Sequence, residues 1–219
     1  MPFTDRVDAG RRLAQALSDL KGRADLLILA VPRGGVEVGA EVARALQAPL
    51  DVSIARKIGA PGNPELAIGA VAADGATVLD EGLVASLGVP ASYVQQATER
   101  ERTEIERRLR AYRGDRPAPQ VAGRTVVLVD DGVATGATTL AAIRALRQQR
   151  PRELILAVPV GPPDTIAVLR REVDRAVVLE TPEPFWAVGA FYQRFEQTPD
   201  ERVVELLREF AGPAAVKPV

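Results

Sequence analysis

The sequence predicts an α/β fold in which helices cover both faces of a parallel sheet, and two observations support this prediction. Segments with helical and strand-like patterns alternate along the 219 residues, as they do in sheets built from strand–helix–strand units. The strand-like segments, such as 26–31 and 126–129, are almost unbroken runs of aliphatic residues. Such runs are typical of parallel strands that are buried on both faces.

The predicted elements follow one another from the amino end. In order, we expect a helix over 8–20, a strand over 26–31, a helix over 36–46, a strand over 50–55, a hairpin over 67–78 around Asp74-Gly75, a helix over 92–112, a strand over 126–129, a helix from 139, and strands over 154–158 and 176–179 with a helix between them. The charged part of the long helix alternates acids and bases at ion-pairing spacings, so we expect a solvated face there.

Composition narrows the class of protein. The net charge is −1 and the pI is about 5.7, so we expect no nucleic-acid partner. No run of about eighteen apolar residues occurs, which predicts no membrane span. The absence of cysteine makes the cytoplasm the default location. Histidine is also absent, so acid–base chemistry would come from carboxylates, lysine, tyrosine, substrate or water. The composition is compatible with assembly into a homo-oligomer.

The most informative stretch runs from Val126 to Thr139. Aliphatic residues lead into Asp130 and Asp131, a loop of small residues follows, and a helix begins. In open α/β sheets, ligands bind at the carboxyl ends of strands, which is where these residues are predicted to lie. Backbone N–H groups and hydroxyls of the loop can surround an anion. The two carboxylates can accept hydrogen bonds from vicinal hydroxyls, directly or through a divalent cation.

Two common nucleotide-binding motifs do not fit this loop. A Walker A loop requires Gly-Lys-Ser/Thr after its second glycine, whereas Ala137 and Thr138 follow Gly136. A dinucleotide fingerprint requires three glycines at a fixed spacing that this loop lacks. The pattern therefore indicates a site for one phosphate with a diol beside it.

The segment 126–139 resembles the phosphoribosyl-pyrophosphate (PRPP) signature of the type I phosphoribosyltransferases, in which a hydrophobic strand, an acid pair and small or apolar residues precede Thr-Gly-x-Thr. The resemblance implies that Asp130 and Asp131 bind the ribose hydroxyls and, directly or through water, Mg²⁺. It places the 5′-phosphate in a loop that comprises Ala134, Thr135, Gly136, Ala137, Thr138 and Thr139. It also implies one domain over 1–219, with an insertion at about 62–120 and a C-terminal hood at about 180–198.

Two further segments are candidates for binding pyrophosphate. Arg33, Gly34 and Gly35 follow the first predicted strand, where backbone N–H groups and a guanidinium can close on an oxyanion. Lys57 follows the second predicted strand beside a Gly/Pro-rich loop. The resemblance implies that both segments contact the departing pyrophosphate. The alternatives are a helix-capping turn with a solvated arginine, and a solvated basic pair at a strand end.

Aromatic residues are concentrated in a Pro-rich segment over 180–192, which holds the only tryptophan. Phe185 and Trp186 can stack on a planar base. In the resembled family this region is the hood that covers the acceptor base. The alternative is that both residues pack the loop onto the sheet.

The resemblance implies transfer of 5-phosphoribose from PRPP to a nitrogen nucleophile, a nucleobase, with release of pyrophosphate. The catalytic groups would be Lys57, Arg33, Asp130 and Asp131 together with Mg²⁺. Ala134 stands where hypoxanthine-guanine members usually carry an aspartate, so a 6-oxopurine acceptor is not implied and the general base is unassigned. A non-catalytic PRPP- or nucleotide-binding regulator is the alternative from a different class.

Overall fold

The computed structural model describes residues 2–73, 75 and 77–210. Its strands are β1 (Leu26–Ala30), β2 (Leu50–Val52), β3 (Ala55–Ala60), β4 (Asn63–Ala72), β5 (Thr77–Leu79), β6 (Thr125–Val129), β7 (Glu153–Val160) and β8 (Arg175–Glu180). Its helices are α1 (Arg6–Ala16), α2 (Gly34–Leu46), α3 (Glu81–Ser86), α4 (Ala91–Arg113), α5 (Ala137–Gln148), α6 (Pro163–Arg170) and α7 (Asp200–Glu209), with 3₁₀ turns at Ser18–Leu20 and Val188–Phe191.

The main sheet is parallel throughout and has the order β2-β1-β6-β7-β8. β1, β6 and most of β7 are fully buried, as their continuous aliphatic sequences predict. Odd and even positions along these strands face opposite sides, so each strand contributes to two apolar layers.

Helices cover both faces of the main sheet, which confirms the predicted fold class. The layer that includes Ile28, Val127 and Ile155 packs against the buried faces of α1, α2 and α7. The opposite layer includes Leu128 and Leu156 and packs against α5 and α6. None of the helices in the described part of the chain has the length and apolar composition that crossing a bilayer requires.

A second, antiparallel sheet of β3, β4 and β5 lies between β2 and β6 in the chain. The predicted strand over 50–55 is wrong, because β2 ends at Val52 and β3 begins at Ala55 in the other sheet. Among the described strands, β2 lies at the edge of the main sheet and pairs with β1 alone, so the chain can leave the main sheet there. The predicted hairpin is confirmed by the pairing of β4 with β5, although Asp74 of its turn lies outside the described residues.

The long helix α4 is only partly the solvated face that the sequence predicts. Glu104 pairs with Arg107 and Arg108, as expected from their spacing. The opposite side of α4 is apolar and buried, and Ile105 lies in the main core. At the end of α4, the guanidinium of Arg113 donates to Asp51 of β2 at 3.1 and 3.2 Å, with both side chains almost fully enclosed.

The helix α7 has no counterpart among the sequence predictions. Its buried residues Val203, Leu206 and Leu207 pack into the main core, beside α2 and α4. The predicted organisation as one domain with an insertion at about 62–120 and a hood at about 180–198 stays a prediction.

We predict that Arg113→Met lowers the free energy of unfolding by about 3 kcal/mol, because it leaves the carboxylate of Asp51 buried without its cationic partner. Denaturant unfolding measures this change. Arg107→Met is the matched control on the same helix, because Arg107 loses only an exposed pair with Glu104 and should change stability little. Equal effects of the two substitutions would contradict the role given to the buried pair.

Candidate active site

The site is built where β1 and β6 end side by side. Ala30 pairs with Val129 in parallel register, and the N–H of Val31 donates to the carbonyl of Val129 at 2.8 Å. The strand order changes direction here, because β2 lies on one side of this pair while β7 and β8 lie on the other. The loops that follow β1 and β6 therefore lead to helices on opposite faces and leave a crevice between them, which is where open α/β sheets bind ligands.

Asp130 and Asp131 occupy this crevice in well-defined positions. Asp130 Oδ1 accepts from the N–H of Asp131 at 2.9 Å, and the Thr139 hydroxyl lies 3.5 Å from Asp130 Oδ2. Asp131 Oδ2 accepts from Arg6 Nε at 2.8 Å. The Tyr192 hydroxyl donates to the carbonyl oxygen of Asp131 at 2.5 Å. Contacts from separate parts of the chain thus hold the acid pair.

The two carboxylates differ in their electrostatic environment. Burial raises the pKa of Asp130 well above its ordinary value of 3.8, and the neighbouring charge of Asp131 raises it further. Hydrogen bonds from the Asp131 N–H and from Thr139 act in the opposite direction on this pKa but do not outweigh burial. Burial also raises the pKa of Tyr192, so its hydroxyl remains a proton donor. A ligand hydroxyl or cation at Asp130 would favour its ionised form.

Gly34 and Gly35 are the first residues of α2, where the predicted pyrophosphate loop after β1 runs into the helix, and they let the backbone there come into contact with the acid pair. A Cβ atom at Gly34 would lie 1.9 Å from Asp131 Oδ2 and 2.6 Å from Arg6 Nε. At Gly35 it would lie 3.0 Å from the Asp130 Cα atom. An added Cβ atom would displace the Asp131 carboxylate at Gly34 and would require a shift of a few tenths of an ångström at Gly35, so the backbone of the predicted pyrophosphate loop lies directly beside the predicted ribose-binding acids.

Arg33 belongs to this loop, but its guanidinium lies elsewhere. It is 3.7 Å from Asp200 Oδ1 at the start of α7, and the same oxygen accepts from the Tyr112 hydroxyl at 2.6 Å. Burial and this carboxylate raise the pKa of Tyr112 to about 12. The Pro32–Arg33 peptide bond is cis. The structure therefore brings the backbone of the predicted loop to the acid pair, while the Arg33 side chain is paired with α7.

The predicted phosphate loop leads directly into α5. The helix begins at Ala137, two residues before the position that the sequence predicts, after Gly136 in a left-handed conformation with φ 76°. The first N–H groups of a helix have no partner within the helix, so they are available to an anion. Thr139 is buried, and the Thr165 hydroxyl donates to the carbonyl of Ala134 at 2.9 Å. Helix α6 thus contacts the loop directly through Thr165.

Lys57 lines a cleft of about 410 Å³ beside this loop. It lies within β3, paired with Ala70 of β4, rather than following a strand of the main sheet as the sequence predicts. The cleft walls also include Pro32 from the loop after β1 and Thr138 from α5. Helix α4 contributes Glu101 and Arg108 to the same cleft, although the sequence predicts a solvated face there.

The two aromatic residues that the sequence predicts to bind a base have different surroundings in the predicted hood at about 180–198. The ring of Phe185 stacks on Phe191 with centroids 5.2 Å apart, within a small apolar cluster that also includes Val188. Trp186 is 82% exposed. Phe185 therefore packs against neighbouring aromatic and apolar residues, while the indole of Trp186 is exposed to solvent. Base binding by either residue stays a prediction.

The residues present fit a magnesium ion that is held mainly by its substrate. The donors at the crevice are carboxylate oxygens, which suit a hard cation, but Arg6 already occupies one oxygen of Asp131. No cluster of three or more potential metal ligands occurs among the described residues. Mg²⁺ keeps several waters and binds few protein carboxylates when it accompanies a phosphate substrate, so Asp130 and Asp131 would suffice as its protein ligands.

Sequence reasoning missed the residues that support the site from a distance along the chain. Arg6 and Tyr192 contact Asp131 from positions 125 and 61 residues away from it, and no local pattern marks either of them. The cleft residues of α4 were not recognised, because charges alternate regularly along that helix. A difference between its buried and exposed charges becomes visible only when the neighbours of the helix are known.

Comparison with known proteins agrees with this geometry. The sequence profile of the phosphoribosyl transferase domain matches residues 4–193, so the chain belongs to the phosphoribosyltransferase family. A crystal structure of TT1426 from Thermus thermophilus is 44% identical, with a TM-score of 0.89 over 97% of this chain and 100% of that chain.

Curated relatives from two strains of Mycobacterium tuberculosis are provisionally named phosphoribosyl transferases. Each is 44% identical over 218 residues, which are 98% of this chain and 49% of the relative. The chain therefore spans about half the length of these relatives.

We predict that Gly34→Ala displaces the carboxylate of Asp131 from Arg6 and lowers the free energy of unfolding by about 1–3 kcal/mol, as overpacking does. Gly82→Ala is the matched control, because Gly82 also lies in the first turn of a helix and an added Cβ atom would meet nothing closer than 3.6 Å. Denaturant unfolding of both variants measures the difference. A Gly34→Ala protein as stable as Gly82→Ala would contradict the close approach.

We also predict that Asp130→Asn becomes more stable than the wild type as pH rises. The folded-state pKa of Asp130 lies above the ordinary 3.8, so ionisation of Asp130 lowers the free energy of unfolding of the wild type. This loss of stability grows as pH rises from 3.8 to the folded-state pKa and is complete above it. Asparagine carries no charge and escapes this penalty. Unfolding free energies from pH 4 to 8 in buffer without Mg²⁺ test the prediction. A stability difference that does not grow with pH would contradict it.

Proposed function

We propose that this protein transfers 5-phosphoribose from PRPP to a nitrogen nucleophile and releases pyrophosphate. The observation that carries the proposal is the contact between the Gly34-Gly35 loop and the acid pair at the paired ends of β1 and β6. This contact sets a candidate pyrophosphate loop, a candidate diol site and a candidate phosphate loop around one crevice. PRPP carries a pyrophosphate, a vicinal diol and a 5′-phosphate on a single ribose ring, so each of these groups has a candidate binding element at the crevice.

Each loop has a defined role in this proposal. The loop from Ala134 to Thr139 holds the 5′-phosphate through first-turn N–H groups and hydroxyls. Asp130 and Asp131 accept hydrogen bonds from the ribose hydroxyls and hold the ring while its anomeric carbon gains positive charge. The burial that raises the pKa of Asp130 also strengthens its interaction with such a charge once the carboxylate is ionised.

The leaving pyrophosphate would lie between the Gly34-Gly35 loop and the cleft that Lys57 lines. Backbone N–H groups of the loop and the ammonium of Lys57 neutralise the charge that develops on the leaving oxygen. Arg33 contributes if its guanidinium leaves Asp200. Since this pair is long and partly exposed, the exchange costs little. Asp130 and Asp131, together with the substrate, would hold Mg²⁺, which would supply further charge stabilisation.

The acceptor in this proposal is a planar base that stacks on Trp186. An indole that is 82% exposed at the edge of the hood offers a face for stacking, whereas Phe185 is engaged by Phe191. The Tyr192 hydroxyl connects the hood directly to Asp131, so a base on the hood would lie on the same side of the crevice as the ribose.

A non-catalytic PRPP- or nucleotide-binding regulator remains the second candidate, and one observation favours it. The guanidinium of Arg33 is paired with Asp200, so one of the predicted catalytic cations does not face the crevice. Cytoplasmic location and assembly into a homo-oligomer stay predictions from the sequence.

We expect calorimetric titration of PRPP with Mg²⁺ to show binding to the wild type and loss of binding to Asp130→Asn and to Asp130→Asn/Asp131→Asn. The single variant is included because removal of the Asp131 charge also deprives Arg6 of its carboxylate partner. Asp115→Asn is the control, since Asp115 is an exposed acid outside the crevice. Pyrophosphate release is then measured with a panel of nucleobases and other nitrogen nucleophiles.

The outcomes separate the two candidate functions. Release of pyrophosphate with one acceptor supports the transferase and names that acceptor. Mg²⁺-dependent PRPP binding without turnover on any acceptor would favour the regulator. Failure of the folded wild type to bind PRPP would overturn both.

A further inference from the structure

Arg6, the first residue of α1, reaches the candidate ribose site from the amino end of the chain. Its side chain is 9% exposed. Its Nε donates to Asp131 Oδ2 at 2.8 Å, and another nitrogen of the same guanidinium donates to the carbonyl of Glu196 at 2.7 Å. The guanidinium also lies 4.0 Å above the ring of Phe195. Arg6 therefore joins the amino-terminal helix, the segment after the hood and the acid pair.

These contacts restrict Asp131 to one orientation. A buried arginine is stable only when its donors are paired, and the rigid planar guanidinium fixes the direction of each donated hydrogen bond. Tyr192 holds the backbone carbonyl of Asp131, so backbone and carboxylate are both fixed. Gly34 leaves the space that the Arg6–Asp131 pair occupies. Each carboxylate oxygen has two acceptor sites, and Oδ2 already accepts from Arg6, so Oδ1 is the oxygen of Asp131 that this pair leaves more accessible to a ligand.

We propose that Arg6 is a positioning residue of the ribose site, which orients Asp131 so that its Oδ1 atom accepts a hydrogen bond from a ribose hydroxyl of PRPP. This inference rests on the proposed function, because it assigns a role within that site. Arg6 acts through Asp131 and does not itself contact the substrate. The ring of Phe195 and the carbonyl of Glu196 hold Arg6 in the orientation that Asp131 requires.

The same helix provides a comparison that distinguishes positioning from general support of the fold. Arg12 also pairs with an aspartate, Asp8, at 2.8 Å, and its guanidinium lies 5.2 Å from the ring of Phe3. That pair is more exposed than the Arg6–Asp131 pair, and among the described residues Arg12 forms no hydrogen bond or ion pair with Asp130 or Asp131. Arg12 thus has the same kinds of interaction as Arg6 on the same helix, without the acid pair as its partner.

The test compares two ligands on four proteins: the wild type, Arg6→Gln, Arg6→Lys and Arg12→Gln. Calorimetry measures the affinity for PRPP and for inorganic pyrophosphate, both with Mg²⁺. Pyrophosphate has no ribose, so it reports on the rest of the site. We expect Arg6→Gln to weaken PRPP binding by about tenfold or more, as loss of an orienting partner typically does, and to leave pyrophosphate binding unchanged.

The remaining variants distinguish the effect of the Arg6 charge from that of its hydrogen-bond geometry. They also keep the test informative if Arg6→Gln does not fold. Arg6→Lys keeps the charge and one donor to Asp131, so we expect it to recover part of the PRPP affinity. Arg12→Gln should bind both ligands as the wild type does. If Arg6→Gln does not fold, the comparison of Arg6→Lys with the wild type decides, because a selective loss of PRPP affinity is still expected there.

Three results would overturn the inference. Wild-type PRPP affinity in the Arg6 variants would show that Asp131 needs no orienting partner. An equal loss of affinity for PRPP and pyrophosphate would show general damage to the site. A wild-type protein that binds pyrophosphate but not PRPP would overturn the proposed function, and the role of Arg6 with it.

Discussion

The parallel pairing of β1 with β6 is the interaction on which the arrangement of the candidate site depends. Because the two strands run in register to Ala30 and Val129, their carboxyl ends stop at the same level of the sheet. The chain then turns into α2 on one face and into α5 on the other. The crevice between these two loops is a consequence of this change in direction. Every contact that brings Gly34 or Gly35 to the acid pair requires that the strands keep this register.

The charges at the crevice are held at a cost to stability. Asp130 is partly buried beside a second carboxylate, and this burial together with the neighbouring charge raises its pKa. Asp131 has a cationic partner in Arg6, whereas Asp130 accepts from the Asp131 N–H and lies near the more distant Thr139 hydroxyl, and forms no ion pair with a described residue. Carboxylates that are confined in this way are poorly solvated before a ligand binds and well placed to interact with one afterwards. Such a conflict between stability and ligand binding is common at functional sites.

The sequence predictions are accurate where the interactions involved are local along the chain and fail where they join distant residues. The strand before Asp130, the small-residue loop and the following helix are local patterns, and each is confirmed within a few residues. The break between β2 and β3 was missed because a run of strand-forming residues does not reveal which sheet each part joins. Glu101 and Arg108 were assigned to a solvated face because their spacing is that of a surface helix, yet α4 turns them toward a cleft.

The sequence alone determined the fold class and the position of the acid pair and of the candidate phosphate loop, because hydrophobic runs, turn residues and charges act over a few neighbouring residues. Only the tertiary structure decided which distant residues meet these groups. Arg6 lies 125 residues from Asp131 in sequence, and the hood reaches the same residue through Tyr192. Likewise, the guanidinium of Arg33 pairs with Asp200 of α7, an element with no counterpart in the predictions. The partners of a buried charge depend on how helices and loops pack around the sheet, and that packing is not encoded in any single segment.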